Sequence, residues 1–136
     1  MSASFSIHPQ LREDCHWLLA LECSELLLHR DAALPWFILV PRTDAGELHE
    51  LEHPVRHQIA DEADAVARFV STWFRCDRIN QASIGNLVPQ LHLHVIGRNR
   101  SDACWPGVVW GRLQSGERYD EDRLAAIETA LRAWFG

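Results

Sequence analysis

Between Pro89 and Gly97 the chain reads Pro-Gln-Leu-His-Leu-His-Val-Ile-Gly, with polar and apolar residues alternating. A strand points successive side chains to opposite faces, so Gln90, His92 and His94 share one face while Leu91, Leu93 and Val95 share the other. The apolar set packs inward and the polar set lines a surface. A half-buried strand with a wet histidine face is the plain account of this pattern. Two imidazoles and an amide in a row can also hold an oxyanion, a metal or a nucleophile.

The other elements follow from periodicity and punctuation. Pro9 opens a short helical turn. Cys15 to Glu22 and Glu25 to Arg30 read as two strands in a hairpin, and Trp36 to Val40, aromatic and β-branched, as a third that Pro41 ends. From Pro54 a long helix is expected, with Val55, Ile59, Ala63, Val66, Phe69, Val70 and Trp73 forming one apolar stripe. Asp61, Glu62, Asp64 and Arg68 form its solvated side. Asp77 to Ser83 reads as a strand, Ile84-Gly85-Asn86 as a turn, and Leu87 or Pro89 to Gly97 as the histidine strand. A last helix starts near Asp120, a good N-cap, with Leu124, Ile127, Leu131 and Trp134 facing inward. Short links favour antiparallel pairing, so the expected fold is α+β: a five-stranded antiparallel sheet, a long crossover helix and a C-terminal helix.

Length and charge narrow the function. The 136 residues make one domain, 1–136, large enough to bury a core without a metal or disulfide staple. A net charge of −6 argues against binding a nucleic-acid backbone but leaves room for a small anion held by local donors. Cys15, Cys23, Cys76 and Cys104 form no C-x-x-C pair and read as small buried hydrophobes. With no signal-peptide pattern and no apolar run of transmembrane length, a cytoplasmic protein that does not engage a membrane is expected.

Three chemistries suit the histidine strand. His92 and His94 could chelate a metal, but no acid follows until Asp102 and nothing fixes Cys104 as a third ligand. A Ser or Cys nucleophile lacks its G-x-S-x-G elbow or a marked cysteine. The third is a histidine acting as nucleophile toward phosphorus. Its Nδ1 proton goes to a nearby main-chain carbonyl, and Gln90, His94 and Asn86 serve as donors to the phosphate oxygens.

Gln90-Leu91-His92-Leu93-His94-Val95 resembles the His-φ-His-φ-His-φ signature of the histidine triad (HIT) superfamily. Leu34 to Pro41 (LPWFILVP) resembles its earlier strand, written P-x-H-φ-φ-φ-φ-P, and Trp105-Pro106-Gly107 resembles the W-P-x-G tail of the nucleotide-binding branch. The likeness spans about 15–107 and leaves the C-terminal helical extension, about 119–135, outside. It implies a homodimeric α+β hydrolase of the nucleotide phosphoramidase or dinucleoside polyphosphate hydrolase type, which hydrolyses or transfers a purine nucleoside monophosphate or its conjugate, without a cofactor, through a nucleotidyl-histidine intermediate. On this chain His92 is then the nucleophile, held by the Gln90 carbonyl, and His94 contacts phosphate or leaving group. Asn80, Asn86 and His29 contact ribose or phosphate.

Two departures bear on chemistry. Gln90 replaces the first histidine of the triad and cannot titrate near neutrality. Trp36 stands where many members place a fourth histidine, and its indole could stack on a base or narrow the site. These departures favour a second reading, a nucleotide-binding or sensing protein with little catalysis; a metal-dependent β protein using His92 and His94 is a third. Of the six tryptophans, Trp17, Trp73 and Trp134 are expected in the core, and Trp36 and Trp105 near a ligand. Arg98 and Arg100 flank the strand end, where they could meet phosphate. His49, His53 and His57 read as surface residues.

Overall fold

The computed structural model describes residues 4–136. Helix α1 (Pro9–Asp14) leads into β1 (Cys15–Ala20), β2 (Ser24–His29) and β3 (Trp36–Pro41). A 3₁₀ turn (Leu48–Glu50) and the long helix α2 (His53–Phe74) follow, then β4 (Arg78–Ala82), β5 (Leu93–Arg98) and α3 (Glu121–Phe135). The strands form one antiparallel sheet in the order β1-β2-β3-β5-β4. The α+β architecture is the expected one. The helix α2 carries the chain from β3 across to the β4 edge, so β5 returns to pair beside β3.

Both faces of the sheet centre are covered. On one face Phe37, Leu39 and Val95 pack against Ala63, Val66, Phe69 and Val70 of α2 and against Ile127 and Leu131 of α3. On the other, Leu27, Trp36, Ile38 and Ile96 pack with Leu11 of α1 and with Val88 and Val109 from loops. That second layer explains why all six residues of β3 are buried. A two-faced strand reads as a continuous apolar run rather than an alternating one.

The histidine strand is shorter than its alternation predicts. Regular pairing begins at Leu93, so Gln90 and His92 sit in the irregular segment before β5. His92 and His94 are 6% and 7% exposed, on a covered face rather than an open one.

Three tryptophans expected in the core are half exposed: Trp17 at 52%, Trp73 at 45% and Trp134 at 44%. Trp17 donates its indole N–H to Glu25 on the exposed side of the hairpin, and Trp73 and Trp134 border the core. Trp73 stacks on the buried Phe69 with centroids 5.9 Å apart, Trp134 meets Phe69 edge-on at 5.8 Å, and the Trp134 indole N–H donates to the Ala65 carbonyl. Glu62 is not part of a solvated face. It is buried, and its Oε2 accepts the backbone N–H of Cys23 in the β1–β2 turn at 2.8 Å. Asp61, Asp64, Arg68, His49, His53 and His57 are exposed as expected.

Candidate active site

A cavity of about 430 Å³ opens on the second face of the sheet. His92 and His94 come to it from β5 and the segment before it, Trp36 and Ile38 from β3, and His29 from the end of β2. Leu11 and Asp14 of α1, the loop 84–88, Trp110 and Gly111 complete the lining.

The hydrogen bonds fix the imidazole tautomers. His92 Nδ1 lies 2.7 Å from the Gln90 carbonyl. A carbonyl only accepts, so Nδ1 carries the proton, and in the neutral ring the lone pair is on Nε2. This is the arrangement expected from the sequence. His94 has the opposite tautomer. The indole N–H of Trp36 donates to its Nδ1 at 2.9 Å, and an indole only donates, so the proton is on Nε2. His29 is set like His94: its Nδ1 accepts the backbone N–H of Asp31 at 3.1 Å. The cavity therefore presents one bare imidazole nitrogen and two neutral imidazole donors.

Charge follows the same logic. Burial, with smaller contributions from neighbouring His92 and His29, lowers the His94 pKa to about 4, so the ring is neutral at physiological pH. Burial also lowers the pKa of His29, against the pull of Asp14 and Asp31. The rings are packed together as well. His29 stacks on Trp36 with centroids 4.3 Å apart and planes 13° from parallel, while Trp110 meets His94 edge-on at 5.3 Å. Stacked and edge-on pairs of this kind add about 0.5–1.5 kcal/mol each and hold the rings in place.

Some expected site residues stand elsewhere. The Gln90 side chain is turned to the N-terminal segment, where Oε1 accepts from the His8 N–H and Nε2 donates to the Ser6 carbonyl. Asn80 does not line the cavity; its Oδ1 accepts from Arg98 at 2.9 Å. Arg98, 1% exposed, makes a two-pronged pair with Asp102 at 2.9 and 3.0 Å and lies over the Trp105 ring. Burial raises the Asp102 carboxyl, but hydrogen bonds from Arg98, Asn99 and Cys104 outweigh it and leave it below the usual carboxylate range. Arg98 and Trp105 thus hold structure rather than a ligand, and Arg100 is exposed. Asn86 lines the cavity from the loop 84–88.

Sequence reading missed Trp110. It follows an irregular stretch, and no periodicity marks which of its residues folds back on the sheet. Among the described residues its indole N–H is buried without a partner. No three His, Cys, Asp or Glu side chains among the described residues come together as metal ligands, so the two-histidine chelate lacks a third donor. Nor, among the described residues, is any helix long and apolar enough to cross a membrane.

Residues 10–101 match the HIT domain family model. No curated protein matches the chain. Among solved structures, a histidine triad protein from Bradyrhizobium japonicum is 38% identical, with a TM-score of 0.92 over 98% of this chain and 100% of that one. A histidine triad protein from Marinobacter aquaeolei is 35% identical, with a TM-score of 0.90 over 98% and 97%. Another, from Sinorhizobium meliloti, is 30% identical, with a TM-score of 0.90 over 96% of each chain. These likenesses run through the C-terminal helix that the sequence motifs left out. The pairing of a bare His92 nitrogen with a proton-bearing His94 nitrogen lies inside the matched region, and the chain belongs to the histidine triad family.

Proposed function

We propose that this protein is a nucleotide hydrolase or transferase in which His92 Nε2 attacks the α-phosphorus of a nucleoside monophosphate conjugate. The observation that carries this reading is the 2.7 Å bond from His92 Nδ1 to the Gln90 carbonyl. It holds the tautomer with a lone pair on Nε2. As the Nε2–P bond forms, the ring becomes cationic, and the carbonyl facing Nδ1–H stabilises that charge. The leaving group departs and a nucleotidyl-histidine remains. Water, or another acceptor, then attacks phosphorus and returns the electron pair to Nε2.

The other cavity residues support binding. His94 Nε2–H and the Asn86 amide donate to the phosphate oxygens, and His29 meets the ribose. The lining is mostly apolar with a few convergent polar groups, as small-molecule sites are. A purine base, a homodimer and a cytoplasmic setting belong to this same reading. In its test, His92→Ala lowers turnover of adenosine phosphate conjugates by more than about 1,000-fold. Acid-quenched wild-type protein then carries an adenylyl adduct on His92 by mass spectrometry. Undiminished turnover in the variant refutes the assignment.

One observation favours a second reading, nucleotide binding with little catalysis: the amide at the first triad position is bonded to Ser6 and His8 and contributes no group to the cavity. Calorimetry with AMP beside the activity assay separates the two, since tight binding without turnover supports the second.

A further inference from the structure

Two imidazoles at the cavity, His94 and His29, share a property that the proposed reaction does not use: neither has a place for a second proton. On His94 that proton would go to Nδ1, which already faces the indole N–H of Trp36 at 2.9 Å. The indole cannot turn into an acceptor, so protonation would set two donors against each other in a buried site. On His29 it would go to Nδ1, which faces the Asp31 backbone N–H. His92 gives the leaving group no proton either, because in the first step its Nε2 forms the bond to phosphorus while its Nδ1–H faces the Gln90 carbonyl. The remaining neighbours do not change this. Trp110, packed on His94 and Trp36, does not titrate. Asp14 stands by His29 at the end of α1, its Oδ1 accepting from Gln10. Among the described residues no Lys or Arg lines the cavity.

We infer that Trp36 is a specificity-determining positioning residue. By holding His94 as a neutral donor it leaves the site without a general acid, so the substrates are nucleotides whose leaving group departs as a stable anion. A carboxylate in an acyl–phosphate anhydride or a phenolate in an aryl ester fits; an alkylamine or alkoxide does not. The inference rests on the His92 reading. In the first step the Nε2–P bond forms, the P–O bond breaks, and its electron pair stays on the leaving oxygen. A carboxylate or nitrophenolate is stable with that pair, whereas an alkylamine must be protonated on nitrogen before it can leave. In the second step water attacks phosphorus, the P–N pair returns to Nε2, and the water proton passes to solvent. A histidine at position 36, as in the related signature, could carry the proton that the indole cannot.

The test compares two probes with the same nucleoside: adenosine 5′-(4-nitrophenyl phosphate) and adenosine 5′-N-propylphosphoramidate. Wild type should release nitrophenolate, with kcat/KM for the propylamide at least about 100-fold lower. Trp36→His should narrow that ratio at least about tenfold and add a descending limb to the pH profile near neutrality. Comparable kcat/KM on both probes in wild type overturns this inference and leaves the His92 reading standing, whereas turnover of neither overturns both. An unchanged ratio in folded Trp36→His overturns the assignment to Trp36. Nitrogen-15 NMR of wild type needs neither turnover nor a variant. It should show His94 unprotonated at Nδ1 and protonated at Nε2 from pH 5.5 to 8, and a His94 that titrates in that range overturns the inference.

Discussion

Gln90 and His8 lie 82 positions apart in the chain, yet the amide oxygen of the first accepts the backbone N–H of the second at 2.8 Å. With the bond from Gln90 Nε2 to the Ser6 carbonyl, one side chain clasps the segment that leads into α1, which brings Leu11 to the cavity wall. The first triad position has thus become an anchor. Gln90→Ala should cost about 1–3 kcal/mol in denaturant unfolding and speed proteolysis at residues 4–8. The His92 tautomer should persist in the variant, because it depends on the main-chain carbonyl. Loss of that tautomer by NMR would count against the anchor account.

His94 makes stability depend on pH. Its folded pKa, about 4, lies below the ordinary 6.5, so above 6.5 it is neutral in both states. Between 6.5 and 4 the unfolded chain takes a proton that the folded chain refuses, and stability falls as pH falls, by roughly 3 kcal/mol at most. His94→Gln, whose amide oxygen can still accept from Trp36, should flatten this slope in denaturant midpoints measured from pH 7.5 to 4.5. An equal slope in both proteins would place the titration elsewhere.

The Arg98–Asp102 pair is buried, with side chains 2% and 5% exposed. Removing one partner leaves an uncompensated charge, so Asp102→Ala should destabilise by about 3–5 kcal/mol. Asp102 also accepts the backbone N–H groups of Asn99, Cys104 and Trp105. Hydrogen exchange across 99–105 should therefore rise in the variant, and a loss under about 1 kcal/mol would mean the pair is dispensable.

Gly97 lies where β5 meets Pro35 and α2. A Cβ there would collide with Cys76 Sγ and stand 2.7 Å from Pro35 Cγ and 2.9 Å from Val70 Cγ1. Gly97→Ala should cost about 1–3 kcal/mol, read as a lowered melting temperature, whereas Gly111→Ala, with nothing near its Cβ, tests only the left-handed backbone. Equal losses in the two variants would refute the steric account.

Much of this architecture was readable from local pattern. The three-and-four spacing along α2 and the apolar run of β3 each depend on one element facing one layer, which periodicity reports well. The His92–Gln90 bond was readable because it joins near neighbours through the main chain. What escaped depends on distant partners. Asn80 shares a sheet face with Ile96 and Arg98, but only the fold shows that Arg98 captures it. Trp73 and Trp134 continue apolar stripes, yet they fall where the helical layer ends, and a stripe carries no mark of that edge. The bond that sets the His94 tautomer joins residues 58 apart, beyond any spacing rule.

The irregular stretch that bears Trp110 hangs between two sunken carboxylates. Asp102 gathers its beginning, and Asp31, only 4% exposed, receives both the backbone N–H and the hydroxyl of Ser115 beyond it. The ceiling over His94 is therefore slung like a hammock from two posts, neither of which is among the residues lining the cavity. Slackening either post should change which molecules gain entry beneath Trp110.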